Sequence, residues 1–541
     1  MPDERAKSAV AQFDHLRNDR HTWEDTWQQI ADNMVGRRDF NVIRTPGERR
    51  MSDIHDITAL LSGELLAGAL HSLMTNSASK WFRLGLEDPA LAEHPDVKLW
   101  TDQIAEPQLY NAFNRPEAGF NPHMHEVYFN LTLFCSAALS IEEEAGRGAV
   151  FSSRPLMEVY IAEDPFGRID TIFRNVQMTA RQAVSRWGDR APGKARNLVA
   201  KDKPEERVRV LQAIRPNLKP KPGRLDFTGM PWSSLFVDSA EKTTIDEGGF
   251  WELPIMFARW SKDAGERYGR GPGITALADA KMLNAMWKTI IKGAQKMVDP
   301  PMLMDNDGVL SQLRTSPGSV NIQEATSLRE NSVRPLLTQG RPDLGIDLVN
   351  RKQQNIQSAF HSEVLPLFNS PYMTATQVLE LVQQAQRFLS PILGRLQSEL
   401  LEPMVQRVFG IELRAGRLDP IPEILAGQNV SVEYISPSAR AQKASDVSAI
   451  IETFQVAAEL EAVAPGSSDN LDADIALREI ASAKGVPVSI VRDAEFVAAI
   501  RERKQQLAAE QQQQQQLLEG ADAASKLIPA LAGAQQQGAA A

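Results

Sequence analysis

The chain has a single cysteine, Cys135, in 541 residues, so no intrachain disulfide can form. Its apolar surroundings, Tyr128 to Leu139, read as those of a buried thiol, and a reducing cytoplasm fits that usage. No apolar run approaches the roughly 18 residues of a membrane span. The opening MPDERAKSAVAQF lacks the apolar segment of a signal peptide, so a soluble, unexported protein without membrane contact is expected. Basic excess is missing too. With 59 Lys and Arg against 69 Asp and Glu, the net charge is −10 at pH 7. The chain therefore lacks the global positive footprint of a protein that coats DNA tightly, and any nucleic acid it meets is expected to be held loosely or guided.

Complete catalytic signatures are also lacking. Gly188-Asp-Arg-Ala-Pro-Gly193-Lys194 begins like a phosphate-binding loop, but the next position, which needs a Mg²⁺-binding hydroxyl, is Ala195. The preceding Met178 to Trp187 reads as helix where that motif needs a strand. Gly269-Arg-Gly-Pro-Gly273 has the wrong spacing for a dinucleotide fingerprint, and Pro272 removes a donor, so a tight turn before a helix is expected. His123-Met-His125-Glu126 puts its histidines on different helix faces, with no Cys/His partner cluster elsewhere. Asp305-Asn-Asp-Gly308 lacks the ligand spacing of a calcium loop and predicts a hairpin turn. Glu142-Glu-Glu144 reads as solvated surface. An NTPase or nuclease would need a complete phosphate loop and clustered carboxylates, so no catalysis, cofactor or metal is expected.

What is present is helical periodicity. Trp23, Trp27, Ile30 and Met34 share one amphipathic face, and a second helix is expected from Ile54 through Leu61, Leu65, Ala69 and Leu73. Between Val150 and Phe257, short β-like runs such as Leu156 to Ile161 and Arg207 to Ile214 predict an α+β block. A helix starts near Thr275 and ends at Pro300-Pro301, with Leu277, Ala280, Leu283, Trp287, Ile290, Ala294 and Met297 at helical spacing. A turn-rich segment follows, then a helix from Leu344 to Val364 and a loop from Leu367 to Met373. Thr374-Ala-Thr-Gln377 fits a capping box that opens a long helix with Val378, Leu381, Leu389, Ile392, Leu396, Leu400, Met404 and Val408 on its apolar face. Continuous to Phe409, it would span on the order of 50 Å, with kinks at Pro391 and Pro403. The Ala- and Gln-rich end is expected to be helical to about Glu519 and disordered from Gly533 to Ala541.

Four strings, in this order, carry a resemblance. They are Ile54-His-Asp-Ile-Thr-Ala59 through Leu73-Met-Thr-Asn76 with Trp81-Phe-Arg-Leu84; Tyr268-Gly-Arg-Gly-Pro-Gly273 with Ala278-Asp-Ala-Lys-Met-Leu-Asn284 and Asp299-Pro-Pro-Met302; Met373-Thr-Ala-Thr-Gln-Val378 with Gly394-Arg-Leu-Gln-Ser-Glu-Leu-Leu-Glu-Pro403; and Val432-Glu-Tyr-Ile-Ser-Pro-Ser-Ala-Arg440. Each alone is weak, but their order is specific, and over roughly residues 10 to 445 the chain resembles the podovirus-type head-to-tail connector family. One departure is Gln377, where the family often has Glu.

The resemblance implies a mainly α fold with α+β parts: an α+β wing, a helical stem, a small α/β clip, a long kinked wing helix and a helical C-terminal crown. By that analogy 1–274 is wing, 275–298 the descending stem, 299–342 the clip and 343–365 the ascending stem. Residues 366–373 are the tunnel loop, 374–439 the long wing helix and closing strand, and 440–541 the crown with its Gln-rich tail. The implied role is a dodecameric ring at one capsid vertex, assembled in the host cytoplasm, through which double-stranded DNA is packaged and ejected. Partners would be the large terminase subunit, tail adaptor and tail proteins, and the major capsid and scaffolding proteins. A tail adaptor or internal virion protein is the alternative.

In the tunnel loop Phe368, Asn369, Ser370, Tyr372 and Met373 are the candidates to touch DNA. Lys281, Lys288, Lys292 and Lys296 fall within roughly 80° of one another around a 3.6-residue helix. They would line the lumen as rings of positive charge, or else pair with Asp343 and Asp347 or face solvent.

Overall fold

The opening amphipathic stretch forms helix α1 (Glu4–Ile30) in the computed structural model. The structure describes residues 3–36, 40, 54–76, 80–86, 88, 91, 94–144, 146–221, 223–224, 226–306, 314–324, 333–335, 342–362, 389–425, 430–434, 437–461, 471–483, 497, 500–501, 503–504 and 506. They divide into two units, Met1–Ala439 and Arg440–Ala541. Asp3 caps α1 by accepting from Arg5 N at 3.1 Å. Ala6, Ala9, Val10, Phe13 and Leu16 pack on a sheet, while Trp27 and Ile30 enter the main core, joined by Met34 from the π turn Ala31–Val35. The Trp27 indole donates to Phe134 O at 3.0 Å, which lets so large a ring be fully buried without an orphan donor.

Next come α2 (Thr58–Met74), β1 (Phe82–Leu86), α3 (Pro95–Leu99), α4 (Glu106–Asn114) and α5 (Phe120–Phe134). Helix α2 starts later than expected; Ala59, Leu66, Leu70 and Met74 are buried, Leu65, Ala69 and Leu73 pack partly buried on the same core, and Leu61 is exposed. Its sequence is apolar on nearly every side, so periodicity alone does not choose the face. Contact with α5 chooses it: a Cβ on Gly63 would stand 3.0 Å from Leu133.

Strands β2 (Ser136–Glu144), β3 (Gly148–Arg154), β4 (Val159–Glu163) and β5 (Ile169–Thr179) lead into α6 (Ala180–Trp187) and α7 (Gly193–Ala200). Leu156–Glu158, expected to begin a strand, is a 3-10 turn. The Thr179–Gln182 capping box starts α6 two residues after the expected Met178. Strands β6 (Arg207–Pro216), β7 (Trp232–Asp238), β8 (Thr243–Phe250) and β9 (Ile255–Arg259) follow. Strands β4 to β8 form an antiparallel meander in sequence order, and β3-β2-β9 a smaller sheet. Along β6, Leu211 and Ala213 join the α1 core while Val208 and Val210 join that of α6 and α7, the alternation a pleated strand imposes.

The remaining elements of the first unit are α8 (Pro272–Val298), β10 (Met302–Asn306), β11 (Val320–Glu324), β12 (Val333–Pro335), α9 (Pro342–Ala359), α10 (Glu402–Arg414) and β13 (Val430–Tyr434). Sheet β11-β10-β12 pairs β10 with β11 in parallel, so the two are not the arms of the hairpin expected at Asp305 to Gly308. The second unit holds most of α11 (Pro437–Glu461) and all of α12 (Ala473–Ala483). None of the described helices is long and apolar enough to cross a membrane.

Candidate channel elements

Cys135 ends α5 in the left-handed region, φ 60°, fully buried, and burial pushes its thiol pKa up to about 12. The string Gly269 to Gly273 runs against this turn. A Cβ on Gly269 would lie 2.1 Å from Cys135 O, and one on Gly273 1.8 Å from Leu133 O. These glycines are needed for close approach, and they fix where α8 leaves the core.

Helix α8 has 27 residues, about 40 Å at 1.5 Å per residue. Ala276, Ala280, Leu283 and Asn284 bury its first half. Helix α9 lies antiparallel against it: Gly345 stands where a Cβ would meet Ile290 at 3.2 Å, and Lys352 Nζ reaches Asp279 at 2.7 Å. The expected apolar stripe is covered only as far as Ile290, because Ala294 and Met297 are exposed. Lys281, Lys288 and Lys292 are exposed and Lys296 is half-buried, on the side opposite the buried face. Lys281 donates to Gln29. Among the described residues no ion pair joins Lys281, Lys292 or Lys296 to Asp347, which is exposed, and the Asp343 side chain lies outside them. The acid that α9 engages is Asp279, about 160° round the helix from Lys281.

A polar junction ties the segment ahead of α2 to both helices. Asn284 Oδ1 accepts from His55 N at 2.9 Å and Asp56 N at 3.2 Å, while its Nδ2 donates to Asn33 O at 2.9 Å. Asp56 Oδ2 accepts from Trp287 Nε1 at 3.1 Å and Gln353 Nε2 at 2.7 Å, and its Oδ1 caps Thr58 N at 2.8 Å. The partly buried groups are thus satisfied together, as a polar network in low dielectric requires.

The long helix is described from residue 389 to Arg414, beyond the expected end at Phe409. Pro403 cannot donate to the carbonyl of Glu399, and a π turn, Gln397–Leu401, accommodates the defect. Glu399, inside that turn, accepts from Arg259 N at 3.0 Å and from the Arg259 guanidinium at 2.7 Å. Arg259 also binds Glu163, which Lys262 reaches at 2.6 Å. Burial opposes the Arg259 charge, but Glu399 and Glu163 outweigh it and hold its pKa above the usual value. Further along, Glu252 accepts from Arg407 at 3.0 Å and Arg414 at 2.6 Å, and Glu412 from Arg115 at 2.5 Å and Arg417 at 2.7 Å. Three carboxylates therefore pin this helix to its surroundings.

The sequence has counterparts among known proteins. A family model described as "Bacteriophage head to tail connecting protein" matches residues 6–491. The chain belongs to that family. It is similar to the "Portal protein" of Salmonella phage epsilon15, 27% identical over 515 residues, covering 93% of this chain and 92% of the relative. It is also similar to the "Probable portal protein" of Bordetella phage BPP-1, 27% identical over 533 residues, 96% of this chain and 95% of the relative.

In this connector three of the four strings meet in space, and the third is anchored by a residue outside them. The first and fourth form a two-stranded antiparallel sheet, β1 with β13, in the register Phe82–Tyr434, Leu84–Val432 and Leu86–Val430. The first and second meet at Asp56 and Asn284, and the part of the third around Glu399 is held by Arg259. Phe368, Asn369, Ser370, Tyr372 and Met373 lie outside the described residues. Sequence reasoning missed Asp56, Arg259, Glu163, Glu252 and Glu412, whose partners are distant in the chain. The one local signal was Arg395–Glu399, an i,i+4 pair at 3.2 Å.

Proposed function

We propose that this connector acts as the portal subunit of a phage head: twelve copies close into a ring at one capsid vertex, and double-stranded DNA enters and leaves through its lumen without sequence preference. In this reading α8 is the descending stem, 299–342 the clip and α9 the core of the ascending stem within 343–365. Residues 366–373 form the tunnel loop, where Phe368, Tyr372 and Met373 would meet the DNA. Residues 374–439 are the long wing helix with its closing strand, and the crown begins at 440.

The observation that carries the reading is the last three turns of α8. Thr289, Ile291 to Gln295, Met297 and Val298 are exposed, so the helix there has almost no cover from its own chain, and Val298 is 87% exposed. A helix that is uncovered all round and mixes lysine with large apolar residues needs a neighbour on one side and tolerates water on another. A cyclic array of the same chain supplies both: apolar residues meet the adjacent copies, and Lys281, Lys288, Lys292 and Lys296 turn to the lumen. Transient contact with phosphates there would neither read sequence nor trap the DNA. The clip would dock the large terminase subunit and later the tail adaptor and tail proteins, and the outer parts would meet major capsid and scaffolding proteins. Energy for translocation would come from the terminase, leaving this chain a structural virion component without catalysis.

Negative-stain electron microscopy with a mass measurement tests it. Twelve copies of a 59.9 kDa chain should give rings of roughly 0.7 MDa with a central hole. A monomer at high concentration, with and without scaffolding protein, would count against the ring.

A further inference from the structure

The charge of the chain is unevenly placed. Although the net is −10, α6, the Gly188–Arg190 turn and α7 make a small basic unit. Its core of Ala183, Trp187, Ala191 and Ala195 sits on Val208, Val210 and Ile245. The phosphate-loop-like string Gly188 to Lys194 lies here, but a helix precedes it and Ala195 is fully buried, so it forms no nucleotide cradle.

What the unit offers is its outside. Arg181 pairs with Glu205 at 2.9 Å, Arg190 with Asp246 at 3.2 Å and Lys203 with Glu206 at 3.2 Å. Arg186, Lys194, Arg196 and Lys201 are exposed and form no ion pair among the described residues, with Asp189, Asp202 and Glu241 the acids left near them. Lys194 stands in the first turn of α7, Arg196 lies about 160° round the helix from it, and Lys201 caps the helix C-terminus. The Arg186 guanidinium is steadied over Trp187 at 5.2 Å and Phe236 at 5.0 Å. The unit's one exposed large apolar residue among those described is Val199, so the apolar centre of a protein interface is missing. What remains is point-charge recognition of a polyanion with spaced charges.

We infer that the α6–α7 unit is an external binding surface for the phosphates of duplex DNA, distinct from the lumen. The inference uses the portal reading only to name DNA as the polyanion at hand; the surface itself needs no ring.

Relaxed closed-circular plasmid is the probe, because a circle cannot thread a closed channel. The full chain should bind it with an affinity that falls linearly in log–log against salt. The triple variant Lys194→Glu, Arg196→Glu, Lys201→Glu should bind roughly tenfold or more weakly at low salt, with the slope reduced by about 2 to 3. If that variant unfolds, the Lys194→Gln, Arg196→Gln, Lys201→Gln triple should show the same direction with a smaller loss. Wild-type chain that ignores circles, or variants that bind as well as wild type, would overturn the assignment. So would loss of circle binding on Lys292→Glu, Lys296→Glu instead, which would move the contact to α8. Monomers that still bind circles through Lys194, Arg196 and Lys201 would sink the portal reading and leave this surface standing.

Discussion

At Glu106 burial and hydrogen bonding pull in opposite directions. The side chain is 2% exposed and accepts from Leu84 N at 3.0 Å and Lys80 Nζ at 3.2 Å. Burial nevertheless wins and raises its pKa, with the Asp102 charge adding to the effect. A carboxylate whose folded pKa lies above its unfolded value near 4.5 contributes stability that is fully present below that value and lost as pH rises through the folded one. Glu106→Gln keeps an acceptor for Leu84 N and removes the titration. The difference in urea midpoint between wild type and variant should therefore shift in the variant's favour from pH 4 to pH 7, and a constant difference would show that Glu106 titrates alike in both states. The Arg259–Glu399 pair is a different case, since the Arg259 guanidinium is held charged. Glu399→Gln leaves a guanidinium that is 1% exposed without its main partner, a loss expected to be about 3 kcal/mol. Replacing both, Arg259→Met with Glu399→Leu, should recover part of it in the same melting assay. Equal losses from single and double variants would mean the pair is packing alone.

Among the elements, α8 shows what the sequence made legible and what it hid. Its helical character and its lysine stripe followed from spacing alone, since four lysines within roughly 80° cannot belong to the buried face of one helix. Which of its turns are covered did not follow: Ala294 and Met297 share a periodicity with Leu283, yet only Leu283 is buried, because α9 and the segment at Asp56 cover the first half. The same limit explains α2, where apolar residues on every side left the face to be chosen by Gly63 against Leu133. It also explains the small sheet β11-β10-β12, where Asp305 to Gly308 has a hairpin's local chemistry while the parallel partner β11 starts at Val320. The ion pairs that hold the long helix were illegible for a further reason: Arg115 and Glu412 are 297 residues apart. For α8 itself, Lys292→Glu with Lys296→Glu should leave melting nearly unchanged, within about 0.5 kcal/mol, since Lys292 is exposed and the half-buried Lys296 forms no ion pair among the described residues. Binding of linear DNA by assembled rings should weaken, with a smaller salt slope. Unchanged binding would place the stripe outside the lumen.

For the molecule as a whole, the question is how an acidic chain handles an acidic polymer. In the proposed ring, twelve copies, each at −10, would repel DNA at long range, but at physiological salt the field decays over about 8 Å, so local stripes would decide what DNA feels inside the channel. A lumen that is repulsive on average and attractive only in narrow bands lets DNA slide. That balance exists only if the proposed ring forms, and in the proposal the apolar residues of α8 are what it buries. Ile291→Asp with Val298→Asp tests this directly, because both side chains are exposed in the single chain. The variant should fold with a urea midpoint little changed, since Ile291 is 42% and Val298 87% exposed, yet sediment as a monomer near 60 kDa where wild type should form rings. Rings that survive the double substitution would show that α8 does not form the contact between copies, and would move the interface to another part of the first unit.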